Sequence, residues 1–216
     1  AYTEEGGSRA NLSITQNTTI DLNGHTLTIS QSGQFFQVQN GAKLTIIDSA
    51  VPQDTVSHPG GDAYGRVATL SDDGSTLTYY ITKSTPSGTG TTETLEQHTV
   101  ALSGAILCAD KSDQAIKVNG GTLDIRGGAL RNSVGKRIVQ MDSGTLTMSG
   151  GYIVGGGKDN EPGGGIYVNS GTLNISGGAV TGNEVFNGHE DNGGGIYVSR
   201  GTLNLSGNGY VTNNSK

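Results

Sequence analysis

Apolar and polar residues alternate in short runs along most of the chain, and no stretch of useful length keeps the 3.6-residue spacing of a helix. The pattern is clearest in the C-terminal half. Ile166-Tyr167-Val168, Thr172-Leu173-Asn174-Ile175 and Ala179-Val180-Thr181 are three such runs, separated by glycines and small polar residues. Period-two alternation puts Ile166, Val168, Leu173, Ile175 and Val180 on one side and Tyr167, Thr172, Asn174 and Thr181 on the other. Gly pairs mark the corners, where a positive φ or a close backbone approach is needed. Three strands turning three corners predict one coil of a parallel β-helix, which pairs with the next coil at about 4.8 Å.

The pattern repeats. GGGIYVNSGTLNISG at residues 163–177 returns as GGGIYVSRGTLNLSG at 193–207, with earlier echoes in GGTLDIRGG and SGTLTMSGG. The steps from Leu123 to Leu146, Leu173 and Leu203 are 23, 27 and 30 residues, and the growth lies in one turn of each coil. A constant frame with one elastic turn is the signature of a solenoid. The N-terminal runs Ile20-Asp21-Leu22, Leu27-Thr28-Ile29, Phe36-Gln37-Val38 and Leu44-Thr45-Ile46 follow the same logic. Residues 51–100 interrupt it. They hold Pro52, Pro59 and Pro86 and a hairpin signal, in which Arg66–Leu70 and Thr76–Tyr80 flank Asp72-Asp73-Gly74; Ser84 to Thr92 has the composition of a flexible loop. The expected architecture is therefore an all-β, single-stranded parallel β-helix of about seven coils. Residues 1–50 supply the N-terminal coils and cap, 51–100 an inserted hairpin excursion, and 101–216 the regular coils of one continuous domain.

The block GGGIYVNSGTLNISGGAVTGN resembles the repeats of large right-handed β-helix surface proteins of gut and oral bacteria. It is also similar to the GGA[ILV]…FxxN repeats of polymorphic outer-membrane proteins. GGGIY matches at Gly163–Tyr167 and Gly193–Tyr197; no FxxN is intact, although Gly182-Asn183 and Asn213-Asn214 end their runs with Asn. The resemblance covers residues 100–216 well and 10–48 loosely. It implies a pectin-lyase-like superhelix and an adhesin-type role at a bacterial cell surface, and it carries over no catalytic residue.

Composition changes little in this picture. Hydrophobic residues are 32% of the chain, but its 37 glycines restore an ordinary apolar balance once counted with them. The net charge of −6 and the absence of a basic stripe argue against nucleic acid and anionic membrane as partners. The single Cys108 follows Ala105-Ile106-Leu107 and is expected to be a buried core thiol. The boundaries at Ala1 and Lys216, the latter just after a repeat, are read as those of a piece of a longer secreted protein.

Candidate chemistry lies where copies of the repeat point outward or differ. Tyr167 and Tyr197 share one outward position, filled by Lys117 and Gln140 in earlier coils; such a ladder either binds sugar rings or simply stacks. In the elastic turns Glu161 aligns with Asp191, with Asp159, His189 and Glu190 close by. Carboxylates stacked in this way could hold Ca²⁺, or the turn could be a solvated acidic loop. Thr122, Thr145, Thr172 and Thr202 form a threonine ladder attributed to β-propensity. No clustered acid and base of the kind a polysaccharide lyase or glycoside hydrolase needs is visible: Asp72-Asp73 falls in the predicted turn, and Asp124, Arg126, Arg131 and Arg137 form no converging cleft.

The expectation is a non-enzymatic segment of a secreted bacterial surface protein, a stiff stalk or adhesin presenting a glycan- or protein-binding face. No cofactor is expected. The partner would be a glycan or surface protein, and the open last coil near Val211 could self-associate end to end. The insert and the elastic turns are the expected contact surfaces. A carbohydrate-active β-helix fragment stays open as the alternative.

Overall fold

The alternating runs wind into stacked coils because each strand finds its hydrogen-bonding partner one coil away. The computed structural model describes residues 11–29, 36–50, 53–61, 66–109, 114–132, 136–159, 161–186 and 193–215. β1 (Leu12–Ile14), β2 (Thr18–Asp21) and β3 (Thr26–Ile29) make the first coil. β4 (Phe36–Gln39) and β5 (Lys43–Ile47) begin the second. Four strands then leave the stack: β6 (Gln53–Ser57), β7 (Thr69–Leu70), β8 (Thr76–Ser87) and β9 (Gly90–Ala101). β10 (Ala105–Cys108) returns to finish the second coil by pairing in parallel with β3. β11 (Ile116–Ile125) and β12 (Ala129–Asn132) form the third coil, β13 (Val139–Val154) with β14 (Gly157–Asp159) the fourth, β15 (Ile166–Thr181) with β16 (Glu184–Phe186) the fifth, and β17 (Ile196–Thr212) the sixth. Among the described residues there is no helix, and so none long and apolar enough to cross a membrane.

The chain is thus an all-β parallel solenoid of six coils rather than seven. The difference arises because the insert splits the second coil, so that residues 36–47 and 105–108, far apart in sequence, belong to a single turn. At about 4.8 Å per coil the stack is about 29 Å long.

Three parallel ladders line the coil, and each buries its inward column. Ile166, Val168, Leu173, Ile175 and Val180 are fully buried, as the alternation requires. Register carries the column through the stack: Ile116, Val139 and Ile166 align on the first face, and Leu44, Leu123, Leu146 and Leu173 on the second. Cys108 is a buried member of this core. The four threonines align in register as read. Beside them, Asn204 Nδ2 donates to Asn174 Oδ1 at 2.8 Å, which extends the ladder by side chain.

The insert is a four-stranded antiparallel sheet in the order β6-β9-β8-β7. The predicted pairing around Asp72-Asp73-Gly74 is present, with Thr69 opposite Thr78 and Leu70 opposite Leu77. Asp73 Oδ1 holds the turn by accepting from Ser71 Oγ at 2.7 Å and Ser75 N at 2.9 Å. These bonds, the Ser71 hydroxyl first, lower its carboxyl to about 2. The loop reading of Ser84–Thr92 is corrected. Ser84 pairs with Glu93 and Thr85 with Thr92, so the segment is the far end of a long hairpin closed at Gly88-Thr89. Its threonines suit a strand, and Gly88 supplies the positive φ of 60° that the turn needs.

The insert does not stand away from the rod. Its Leu77, Tyr79, Ile81 and Val100 form a second apolar cluster with Val154 and Ala179 on the outward side of the third ladder. Thr181 points outward by alternation yet is fully buried there. Asn213 adopts a left-handed φ of 50° and pins the insert from the sixth coil. Its Oδ1 accepts from Tyr80 N at 2.7 Å, and its Nδ2 donates to the Arg66 carbonyl at 2.8 Å. Arg131 of the third coil donates to the Gly74 carbonyl at the other end of the sheet.

Candidate functional site

The docked insert leaves an open cleft of about 540 Å³ between itself and the third ladder. Two alternation patterns build it. On the insert, Tyr79 lies opposite His98 and Ile81 opposite Glu96, so these side chains share one face. Val56 of β6 lies opposite His98 on the other side. Asp54, Val56, Tyr79, Lys83, Glu96 and His98 form this wall. On the rod, Tyr152, Ala179 and Tyr210 are register partners in coils four, five and six. Ala179 is buried against the insert, and Tyr152, Tyr210, Gly178 and Asn208 line that wall.

The wall of the insert is tightly wired. His98 stacks on Tyr79 with ring centroids 4.8 Å apart and planes at 13°. Its Nδ1 lies 2.8 Å from Asp54 Oδ2. An ionised carboxylate only accepts, so this bond places a proton on Nδ1. The second ring nitrogen, Nε2, is buried, makes no hydrogen bond and lies 3.5 Å from Glu96 Oε2. Lys83 Nζ is 3.3 Å from Glu96 Oε1, and His58 Nε2 is 3.9 Å from the same atom. Burial raises the Tyr79 phenol far above its usual range, with Tyr152, Asp54 and Tyr210 adding to the effect. Burial and the Asp54 charge push Tyr152 up to about 12. Both phenols therefore keep their protons and serve as O–H groups at ordinary pH.

The tyrosine ladder read from sequence lies on the first face. Tyr167 and Tyr197 are register partners, with rings 5.8 Å apart and 3° from parallel. Arg137 Cζ sits 4.6 Å from the Tyr167 centroid. Tyr167 thus packs against both Arg137 and Tyr197, and the pair stacks. Arg137 Nη2 donates to Glu161 Oε2 at 2.9 Å, so the Glu161 carboxylate proposed for Ca²⁺ is engaged by a guanidinium. Asp191, its proposed partner, lies outside the described residues, as do His189 and Glu190. Among the described residues no group of three or more His, Cys, Asp or Glu side chains is placed to hold a metal ion.

The second face brings Asp124 to Lys43 and Arg126. Lys43 Nζ and Arg126 Nη2 each lie 2.7 Å from Asp124 Oδ2. Burial alone would raise the Asp124 carboxyl, but hydrogen bonds from Arg126 and Lys43 outweigh it and hold the group low. One carboxylate is shared by two cations, the group opens onto no cavity described above, and Arg131 and Arg137 lie elsewhere.

Sequence reasoning missed the cleft. The signal was the alternation of Leu77, Tyr79 and Ile81 facing that of Glu96, His98 and Val100 across Gly88. It was masked by the Ser, Thr and Gly content of the hairpin end. Comparison with protein-family models, with curated proteins and with solved structures finds no match for this chain.

Proposed function

We propose that the chain is a non-enzymatic, ligand-presenting segment of a secreted bacterial surface protein, and that its ligand is a glycan held in the cleft under the insert. The observation that carries this reading is the lining of the cleft. Tyr79, Tyr152 and Tyr210 supply aromatic surface, and Asp54, Glu96, His98, Lys83 and Asn208 supply hydrogen-bonding groups beside it. Sugars present apolar C–H faces and rings of hydroxyls, and a site of this mixed kind suits both. The site also stands on rigid elements, because continuous ladders tie each coil to the next. The extracellular, cell-surface setting draws on the GGGIY resemblance.

The test is a glycan array followed by titration of the glycans it retains. Tyr152→Ala and Tyr210→Ala are each expected to weaken binding by about tenfold or more while leaving the β-sheet circular dichroism unchanged. Undiminished binding in both variants would contradict the cleft as the site. A second reading, a carbohydrate-active fragment, draws on the Asp54–His98 pair with Glu96 beside it. Appearance of cleaved oligosaccharide in the same incubations would favour that reading over binding alone.

A further inference from the structure

Resting on the glycan reading of the cleft, we infer that the site selects saccharides without acidic groups: neutral or amine-bearing sugars enter, and uronates and sulfated sugars are turned away. A ligand carboxylate or sulfate needs a cation, or several converging N–H donors, with capacity to spare. The nitrogen groups on the cleft wall are committed. His98 is bound through Nδ1 to Asp54 at 2.8 Å, and Lys83 is 3.3 Å from Glu96. Asp54 and Glu96 each bring a carboxylate to the same wall, and no arginine lines it. An acidic group entering here meets two like charges in a partly buried site, where Coulomb repulsion is stronger than in water.

The remaining groups fit hydroxyls. The Tyr79 hydroxyl donates to Tyr152, and the Tyr152 phenol holds its own proton and can donate it to a ligand. His98 Nε2 is buried without a hydrogen bond and stands 3.5 Å from Glu96 Oε2. A sugar hydroxyl on this wall can donate its one proton to the Glu96 carboxylate, which an ionised acid group cannot do. Tyr152 and Tyr210 lie two coils apart, about 9.6 Å along the stack, and both line the cleft together with Gly178 and Asn208. An ammonium group meets no penalty, because tyrosine faces and carboxylates both attract it.

The experiment titrates the full chain with matched oligosaccharides of the same linkage: neutral hexose, free hexosamine and hexuronate, with a sulfated hexose as a fourth arm. The neutral or amine-bearing member is expected to bind at least about tenfold more tightly than its hexuronate counterpart. Glu96→Gln keeps the shape, removes one carboxylate and releases Lys83. It is expected to narrow that gap by strengthening hexuronate binding. Hexuronate or sulfated sugar binding as tightly as the neutral one overturns the selectivity and leaves the glycan reading standing. An unchanged gap in Glu96→Gln overturns the charge argument. Absence of binding to all four classes overturns the inference and the reading beneath it together.

Discussion

Gly171→Ala should destabilise the fold by roughly 4 kcal/mol or more, a loss in the exceptional range for a single methyl group. Gly171 has a φ of 101°, and a Cβ there would lie 2.2 Å from the Gly144 carbonyl oxygen. The same glycine position recurs in each G-T-L step. A Cβ on Gly144 would meet the Gly121 carbonyl oxygen at 2.2 Å, and one on Gly201 would meet the Gly171 carbonyl oxygen at 2.6 Å. The obstacle is backbone held in ladders on both sides, so no side chain can swing away to make room. Either the stack opens locally or the coil loses its pairing. Gly88→Ala separates this effect from backbone strain alone. Gly88 also has a positive φ, of 60°, but a Cβ there meets nothing within 4 Å. Its cost should be about 1–2 kcal/mol, the left-handed penalty by itself. Urea titration of the two variants checks the comparison, and equal losses would refute the close-packed glycine column.

Asn183→Leu is expected to cost about 3–5 kcal/mol, because it removes several buried hydrogen bonds and leaves their backbone partners unsatisfied. Asn183 is fully buried at the corner after the third ladder. Its Oδ1 accepts from Gly156 N at 2.9 Å, and its Nδ2 donates to the carbonyls of Ile153 at 2.9 Å and Thr181 at 3.0 Å. Nδ2 also reaches Asn214 Oδ1, the equivalent amide one coil on, at 2.9 Å. Asn214 repeats the device by donating to the carbonyls of Val180 and Thr212. Leucine keeps the branch at Cγ, has none of the polar atoms and is bulkier than asparagine, so the loss combines missing hydrogen bonds with crowding and involves no cavity. Asn214→Leu should cost less, since that side chain is only half-buried. Thermal unfolding followed by circular dichroism ranks the two, and the reverse order would contradict the corner ladder.

These residues also show why part of the structure was legible in sequence and part was not. The environment of Leu173 is made by Leu146 and Leu203, its own copies, so one repeat read correctly gives the whole column. The corner asparagines stood out as the strand-ending Asn183 and Asn214, although their bonds did not. The insert has no such redundancy. Tyr79 meets Tyr152 only because a sheet that leaves the second coil folds down over the fourth to sixth. Asp124 meets Lys43 across a single coil step that spans the whole insert in sequence. Nothing in the repeat pattern singles out Tyr152 and Tyr210, while Tyr167 and Tyr197 read as a ladder that either binds sugar rings or simply stacks. Docking of the insert gave the first pair a cleft, while the second pair stacks with Arg137 over Tyr167.

The central claim is that the ligand surface is the cleft beneath the insert and not the tyrosine ladder on the first face. Amide chemical-shift mapping on the ¹⁵N-labelled chain, titrated with the tightest glycan from the array, tests it most directly. The account predicts shifts at His98, Gly178, Asn208 and Tyr210, with Tyr167, Tyr197 and Lys117 unmoved. Shifts confined to Tyr167, Tyr197 and Lys117, with the cleft amides silent, would contradict it.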